Sequence, residues 1–284
     1  RGEDICAVSC APDSGSRTDP LKAYAQEQGL PLFQPKTYKD ESVVAEMKDL
    51  GADLCVMAYV TLMVPESALN APRLGSIQYH PSLLPLHKGP SSINWPIIFG
   101  ETKTGLSIFW PDDGLDTGPI LLQKDVAIAP DDTLGSLYFN HLFPMGVASM
   151  CEAVDLVRQG TAPRIEQDPS GGTYEGWCRA EDVKIDWHQP VDSVYNMIRG
   201  ANPQPGAWTT LSGQKLVILD SIRVGVTGAT PGTVTSIDET GMTIAGDGGS
   251  ILVSRVKIES GAKLSAADFP GQLTASVGDL LGAS

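Results

Sequence analysis

No stretch of the 284 residues is apolar for long enough to cross a membrane. No basic segment precedes an apolar one near the amino end, so no signal peptide is expected. Cysteine is scarce and dispersed. The five (Cys6, Cys10, Cys55, Cys151, Cys178) are odd in number and form no CxxC pair, which argues against a disulfide framework and against a zinc site. A reduced, cytoplasmic compartment is the expectation. Also absent are a glycine-rich phosphate cradle, a GxSxG nucleophile elbow, an internal repeat and any low-complexity segment. Cations are outnumbered, 20 Lys+Arg against 34 Asp+Glu for a net charge of −14, and they form no basic cluster. Extended contact with nucleic acid is therefore disfavoured, and a small-molecule substrate is expected.

What remains is an ordinary globular composition, 42% apolar, at a length that suits two domains. Short apolar runs alternate with helical patterns: strands at Ile5–Val8, Leu30–Phe33 and Leu54–Tyr59, helices at 20–29 and 40–50. The order implies an α/β fold of parallel strands with helices on both faces. The Pro12–Asp19 segment reads as a loop, with Asp19-Pro20 as N-cap and first helical residue and Gly29 as the stop. A helix near Ser91–Phe99, strands at Gly105–Trp110 and Ile120–Ile128, and a long helix over Thr133–Arg158 follow. Asp131 or Asp132 is placed to cap that helix and Pro144 to bend it. Pro163–Gly176 is polar and rich in glycine and proline, so it reads as a linker, and Val191–Arg199 as a last helix. From Gly206 five short β runs (207–211, 215–224, 232–237, 242–245, 251–258) suggest a small barrel.

The chemistry concentrates in residues 76–118. Ser76-Ile77-Gln78-Tyr79-His80 and Ser107-Ile108-Phe109-Trp110 are buried-strand patterns, and each stops at a polar, proline- or glycine-rich loop. The first delivers His80 and the second leads to Asp116. If the strands are neighbours, an imidazole and a carboxylate meet at one rim of a sheet, the pair that general acid–base chemistry requires. Each residue also has a plainer reading: His80 as a satisfied strand-end histidine, Asp116 as a turn carboxylate, Gln78 as a polar strand end. Gln78 lies two residues before His80 and would share its face, where its amide could donate to an oxyanion. Asp112, Asp113 and Asp116 could hold a metal, but no His or Glu partner stands near them in sequence, and no metal is expected. His87, Lys88, His141 and His188 read as surface or helix polar groups.

Gln78-Tyr79-His80-Pro81-Ser82-Leu83-Leu84-Pro85, Lys88-Gly89-Pro90 and Asp113-Gly114-Leu115-Asp116-Thr117-Gly118 resemble the folate-dependent formyltransferases. Ile93-Asn94-Trp95, Thr173-Tyr174-Glu175-Gly176, Ile198-Arg199-Gly200 and Pro205-Gly206-Ala207-Trp208-Thr209 carry the likeness toward the hydrolase domains that begin the 10-formyltetrahydrofolate dehydrogenases. The resemblance implies a Rossmann-like domain with a mostly parallel sheet over 1–180, a connecting helix over 181–202, and a small OB-like β-barrel over 203–284. It implies 10-formyltetrahydrofolate as co-substrate, with His80 and Asp116 catalytic and Gln78 assisting. Folate would be held by Ser82, Leu83, Leu84, Pro85, Tyr59, Asp112, Asp113, Gly114 and Leu115. Two departures accompany it. Most family transferases carry Asn where this sequence has Gln78. The family's first strand and helix also have no counterpart before Arg1, so an incomplete sequence with two unpaired strand edges is expected. Water is the favoured formyl acceptor, with methionyl-tRNA, then an amino sugar nucleotide, as alternatives and a non-catalytic folate-binding module as the last. Residues 203–284 hold five Lys/Arg against seven Asp/Glu, a net of −2, which does not suit a tRNA-holding surface.

Overall fold

Residues 2–13, 18–258 and 261–282 are described by a computed structural model. Part of the loop expected at Pro12–Asp19 lies outside them. The strands in chain order are β1 Val8–Ser9, β2 Leu32–Phe33, β3 Cys55–Met57, β4 Ser76–His80, β5 Lys103–Phe109, β6 Ile120–Ala127, β7 Trp208–Leu211, β8 Gln214–Val224, β9 Val234–Asp238, β10 Gly241–Gly246, β11 Gly249–Ile258 and β12 Lys263–Ser265. The helices are α1 Pro20–Glu27, α2 Glu41–Asp49, α3 Glu66–Leu69, α4 Asn94–Ile98, α5 Leu134–Leu137, α6 Phe143–Arg158, α7 Val191–Gly200 and α8 Phe269–Gln272. None is long and apolar enough to cross a membrane among the described residues. The chain divides into two compact units. One takes in the chain up to His80 with Leu106–Lys124 and Gly146–Gly172; the other takes in Pro81–Gly105, Asp125–Met145 and the chain from Thr173.

In the first unit the helix starts follow the local chemistry. Asp19 accepts from the Leu21 amide ahead of Pro20, and Gly29 and Gly51 take the left-handed conformation just past α1 and α2, where a side chain would be strained. The sheet is mixed rather than mostly parallel. β1 and β2 pair in parallel with each other, and a separate sheet runs β3-β4-β5-β6, parallel at β3–β4 and antiparallel at β4–β5. A parallel return needs a crossover that carries the chain back along the sheet. Between β4 and β5 the chain forms turns and the five-residue α4, and β5 returns antiparallel. Among the described residues β1 and β3 each pair with a single strand. Ile77 and Tyr79 face one side of β4; α6 comes so close there that a Cβ on Gly146 would stand 2.7 Å from the Tyr79 ring. Gln78 and His80 face the other side.

The second unit is built on a six-stranded antiparallel sheet in the order β7-β8-β11-β10-β9. The long β11 pairs with β8 along nearly its whole length, while β10 and β12 share the opposite edge at successive positions. The sequence suggested five strands in a barrel. The structure adds β12 and shows a sheet, with no closure between β7 and β9 among the described residues. α7 buries Val194, Tyr195 and Ile198 in the core under this sheet with Leu216, Ile218, Ile251 and Val253, each worth about 1.5–3 kcal/mol when fully buried. α4 and α7 meet at Gly200, where a Cβ would lie 2.6 Å from Ile98. Asn94 donates to the carbonyls of Gly200 (2.9 Å) and Gln204 (3.0 Å). The Asn94 and Gly200 motifs are thus packing features. Buried Arg199 donates to the carbonyls of Ala129 and Asp132 and to Asn196 Oδ1, and desolvation holds it below the usual guanidinium range.

The long helix expected over 133–158 is interrupted. α5 is followed by a π-helical turn at Tyr138–Leu142, and α6 begins one residue before Pro144. Proline has no amide to continue the ladder, and the wider turn absorbs the mismatch. Its cap is Thr133 in a capping box with Ser136, one residue beyond the expected aspartates. Asp132 instead accepts from the Ser136 hydroxyl and the Ala129 amide.

Candidate active site

His80 closes β4 opposite Ser107 of β5. Because the two strands are antiparallel, the carboxyl end of β5 points away from His80, with Phe109 opposite Gln78. The simple picture of two strands ending at one rim therefore fails. His80 and Asp116 still meet: Nδ1 and Oδ2 are 3.6 Å apart, in side chains of residues only 5% and 6% exposed. The loop after β5 has to reach back about two residues, some 7 Å of strand, to bring the carboxylate there. At 3.6 Å the pair is within ion-pair reach but longer than a hydrogen bond, as acid–base pairs often are before substrate closes on them.

The 110–119 loop shows how this is achieved. Its base is tied by the Trp110 amide donating to Pro119 O at 2.8 Å. Inside, the Asp112 carboxylate accepts from the Gly114 amide (3.1 Å) and the Thr117 hydroxyl (2.7 Å), a side-chain-built turn of the kind aspartate favours. Gly118 lies on the Trp110 carbonyl, where a Cβ would come within 1.8 Å of the oxygen. Asp116 itself is left-handed, φ 55°, which costs a non-glycine residue about 1–2 kcal/mol. Strain of this kind at a buried carboxylate is a pointer to function.

The remaining expected residues are distributed as follows. Gln78 is half-buried on the His80 face of β4. Asp113, Gly114 and Leu115 form the exposed tip of the loop. Tyr59 falls outside its expected strand: β3 stops at Met57, and Tyr59 is left-handed (φ 54°) and 92% exposed. Ser82, Leu83, Leu84 and Pro85 follow His80 directly in the chain but belong to the second unit. There the Ser82 hydroxyl donates to Leu86 O (2.7 Å) and Leu84 is buried.

Three features escaped the sequence reading. His87 is buried, 4% exposed, and not a surface group. Its Nδ1 lies 3.1 Å from Glu175 and its Nε2 3.0 Å from Glu101. Ser107, opposite His80, accepts from Gln123 Nε2 at 2.9 Å. Pro163–Gly176 is no free linker either. In the first unit Pro163 O accepts from the Trp110 indole, the Arg164 guanidinium covers the Trp110 ring at 4.0 Å, Ile165 exchanges backbone hydrogen bonds with Ile120, and Gln167 donates to the carbonyls of Asp116 and Gly118. In the second, Thr173 and Glu175 bond the backbone of Pro85 and Lys88. Main-chain partners of this sort leave little compositional trace; Ile165, apolar between polar neighbours, was the one available hint.

Comparison with known proteins bears on the whole chain. A family model described as formyl transferase matches residues 9–150, and one for the formyl transferase C-terminal domain matches residues 178–272. The human cytosolic 10-formyltetrahydrofolate dehydrogenase is 41% identical over 286 residues, covering 94% of this chain and 31% of that protein. The methionyl-tRNA formyltransferase of Geobacter metallireducens is 36% identical over 275 residues, covering 95% of this chain and 88% of that protein. Among solved structures, HypX from Aquifex aeolicus in complex with tetrahydrofolic acid superposes with a TM-score of 0.69 at 17% identity, over 89% of this chain and 44% of that one. The chain thus spans under a third of the length of the dehydrogenases it matches. It belongs to the formyltransferase family.

Proposed function

We propose that this member of the formyltransferase family removes the formyl group from 10-formyltetrahydrofolate with water as the acceptor. The observation that carries the reading is the buried His80–Asp116 pair at 3.6 Å, with Asp116 held in a strained backbone conformation. Asp116 takes a proton from the attacking water as the new C–O bond forms at the formyl carbon. Protonated His80 stabilises the developing oxyanion and protonates N10 as the C–N bond breaks. Tetrahydrofolate and formate leave, and both side chains recover their protonation states through solvent. Gln78, on the His80 face of β4, adds a hydrogen bond to the oxyanion. Ser82–Pro85, Tyr59 and Asp112–Leu115 are proposed to hold the folate. Water is preferred as acceptor because identity is 41% to the dehydrogenase against 36% to the methionyl-tRNA formyltransferase, and because residues 203–284 lack a basic surplus.

Product analysis with 10-formyltetrahydrofolate, with and without methionyl-tRNA and an amino sugar nucleotide, tests this. Formate released without an added acceptor is the expected result. Turnover only with an acceptor would replace hydrolysis by transfer, and folate binding without turnover would reduce the protein to a binding module.

A further inference from the structure

The Asp116 carboxylate is carried by a left-handed residue in a loop whose tip is exposed, and such a conformation persists only where its surroundings over-determine it. We infer that Gln167 is a positioning residue for the proposed reaction, its side-chain amide clamping the backbone on both sides of Thr117 and so fixing where Asp116 stands against His80. The inference rests on Asp116 being the working carboxylate.

Gln167 Nε2 donates to Asp116 O at 2.9 Å and to Gly118 O at 2.7 Å. The two carbonyls flank Thr117, so one planar group bridges the strained residue and the glycine that crowds the Trp110 carbonyl. The partners fix the orientation of the amide, because turning it over would face its oxygen with two carbonyl oxygens. The chain just before Gln167 is anchored at three successive residues. Ile165 exchanges hydrogen bonds with Ile120 at 2.7 and 2.9 Å, Pro163 O accepts from the Trp110 indole at 2.9 Å, and Arg164 lies over the Trp110 ring. Residues 163–167 therefore form a splint along both ends of the loop.

Other bonds already hold the loop base and the strand pairing. What Gln167 adds is restraint of the Asp116–Gly118 backbone. A small rotation at Asp116 swings its carboxylate through about an ångström, and a misplacement of that size costs roughly a hundredfold in rate.

The test compares Gln167→Glu and Gln167→Met with the unaltered protein in deformylation kinetics, alongside Asp116→Asn, with melting and tetrahydrofolate binding measured for each. Glutamate keeps the shape but sets a carboxylate oxygen against two carbonyls; methionine removes the donors. The expected result is a kcat about 10- to 100-fold lower, lower for glutamate than for methionine. KM and tetrahydrofolate affinity should stay within about threefold, the signature of a contact that matters in the transition state. A variant that only melts earlier while keeping kcat overturns the inference, and if Asp116→Asn is inactive the catalytic reading survives that failure. Full activity in Asp116→Asn would sink the catalytic reading and the inference together. Should Gln167→Glu fail to fold, Gln167→Asn, whose amide stops one methylene short, carries the same expectation of lower kcat at unchanged KM.

Discussion

Replacing Gly118 with alanine asks whether catalysis depends on the loop backbone. The added Cβ would lie 1.8 Å from the Trp110 carbonyl oxygen, 2.9 Å from its carbon and 3.3 Å from the Asp112 amide nitrogen. All three are backbone atoms, so no side chain can rotate aside. Relieving the closest contact to an ordinary separation requires a shift of about 1.5 Å, from a residue held on one side by Gln167 (2.7 Å) and on the other by the Trp110–Pro119 tie (2.8 Å). Overpacking of this kind costs about 1–3 kcal/mol of stability. Carried two residues back to Asp116, a displacement near an ångström costs about a hundredfold in kcat, or roughly 2.7 kcal/mol of barrier at 1.36 kcal/mol per decade. The assay is tetrahydrofolate release from saturating 10-formyltetrahydrofolate, corrected for the folded fraction by titration with tetrahydrofolate. Gly114→Ala is the control. Its Cβ would meet the Thr117 hydroxyl at 1.9 Å, a side chain that can swing away at the cost of its bond to Asp112, about 0.5–1.5 kcal/mol, so its kcat should fall by about tenfold or less. Equal rates for Gly118→Ala and the unaltered protein would refute the claim that this loop geometry sets the rate.

Gln78→Ala should lower kcat by about 10²- to 10³-fold with little change in KM if its amide reaches the oxyanion; a kcat within about threefold would return Gln78 to a polar strand end. Gly200→Ala, with its Cβ 2.6 Å from Ile98 Cγ1 and 3.1 Å from the Asn94 carbonyl, should cost about 1–3 kcal/mol. A scanning melt should show a drop of roughly 2–10 °C. Burial pushes the Cys178 thiol up to about 12. At pH 8 only about one molecule in 10⁴ would carry its thiolate, so mass spectrometry after brief alkylation of the folded protein should find Cys178 unmodified and the exposed Cys6 labelled. Rapid labelling of Cys178 in the folded state would contradict its placement beside Ser91, whose hydroxyl accepts from the Cys178 amide.

Helices and strands were legible where local chemistry determines them. Asp19-Pro20 and Gly29 bracket α1 as read, the helix over 133–158 departs from regularity next to Pro144, and the β runs after Gly206 all become strands. Strand direction was legible only in part: β1–β2 and β3–β4 run parallel as the alternation of strands and helices implied, whereas β4–β5 does not. Apolar alternation specifies which face is buried but not which way the neighbour runs, so the antiparallel β4–β5 pairing, and with it the route by which Asp116 reaches His80, required coordinates. His87 shows the same limit from the other side. A histidine between Leu86 and Lys88 carries no local sign of burial, because the carboxylates that meet its ring lie 14 and 88 residues away.

Pro163–Gln167 is the most instructive failure, because composition pointed the wrong way. Polar and proline-containing segments usually connect things, yet here the proline contributes a carbonyl, the arginine a planar face, the isoleucine a backbone bridge and the glutamine two donors. All four act on the 110–120 loop. Left-handed backbone is tolerated by aspartate better than by most side chains, but it does not by itself fix where the carboxylate points. The sequence run that names the site, Asp113–Gly118, therefore explains only half of its geometry. The other half is supplied some fifty residues later by groups whose identity matters mainly for what they offer a backbone.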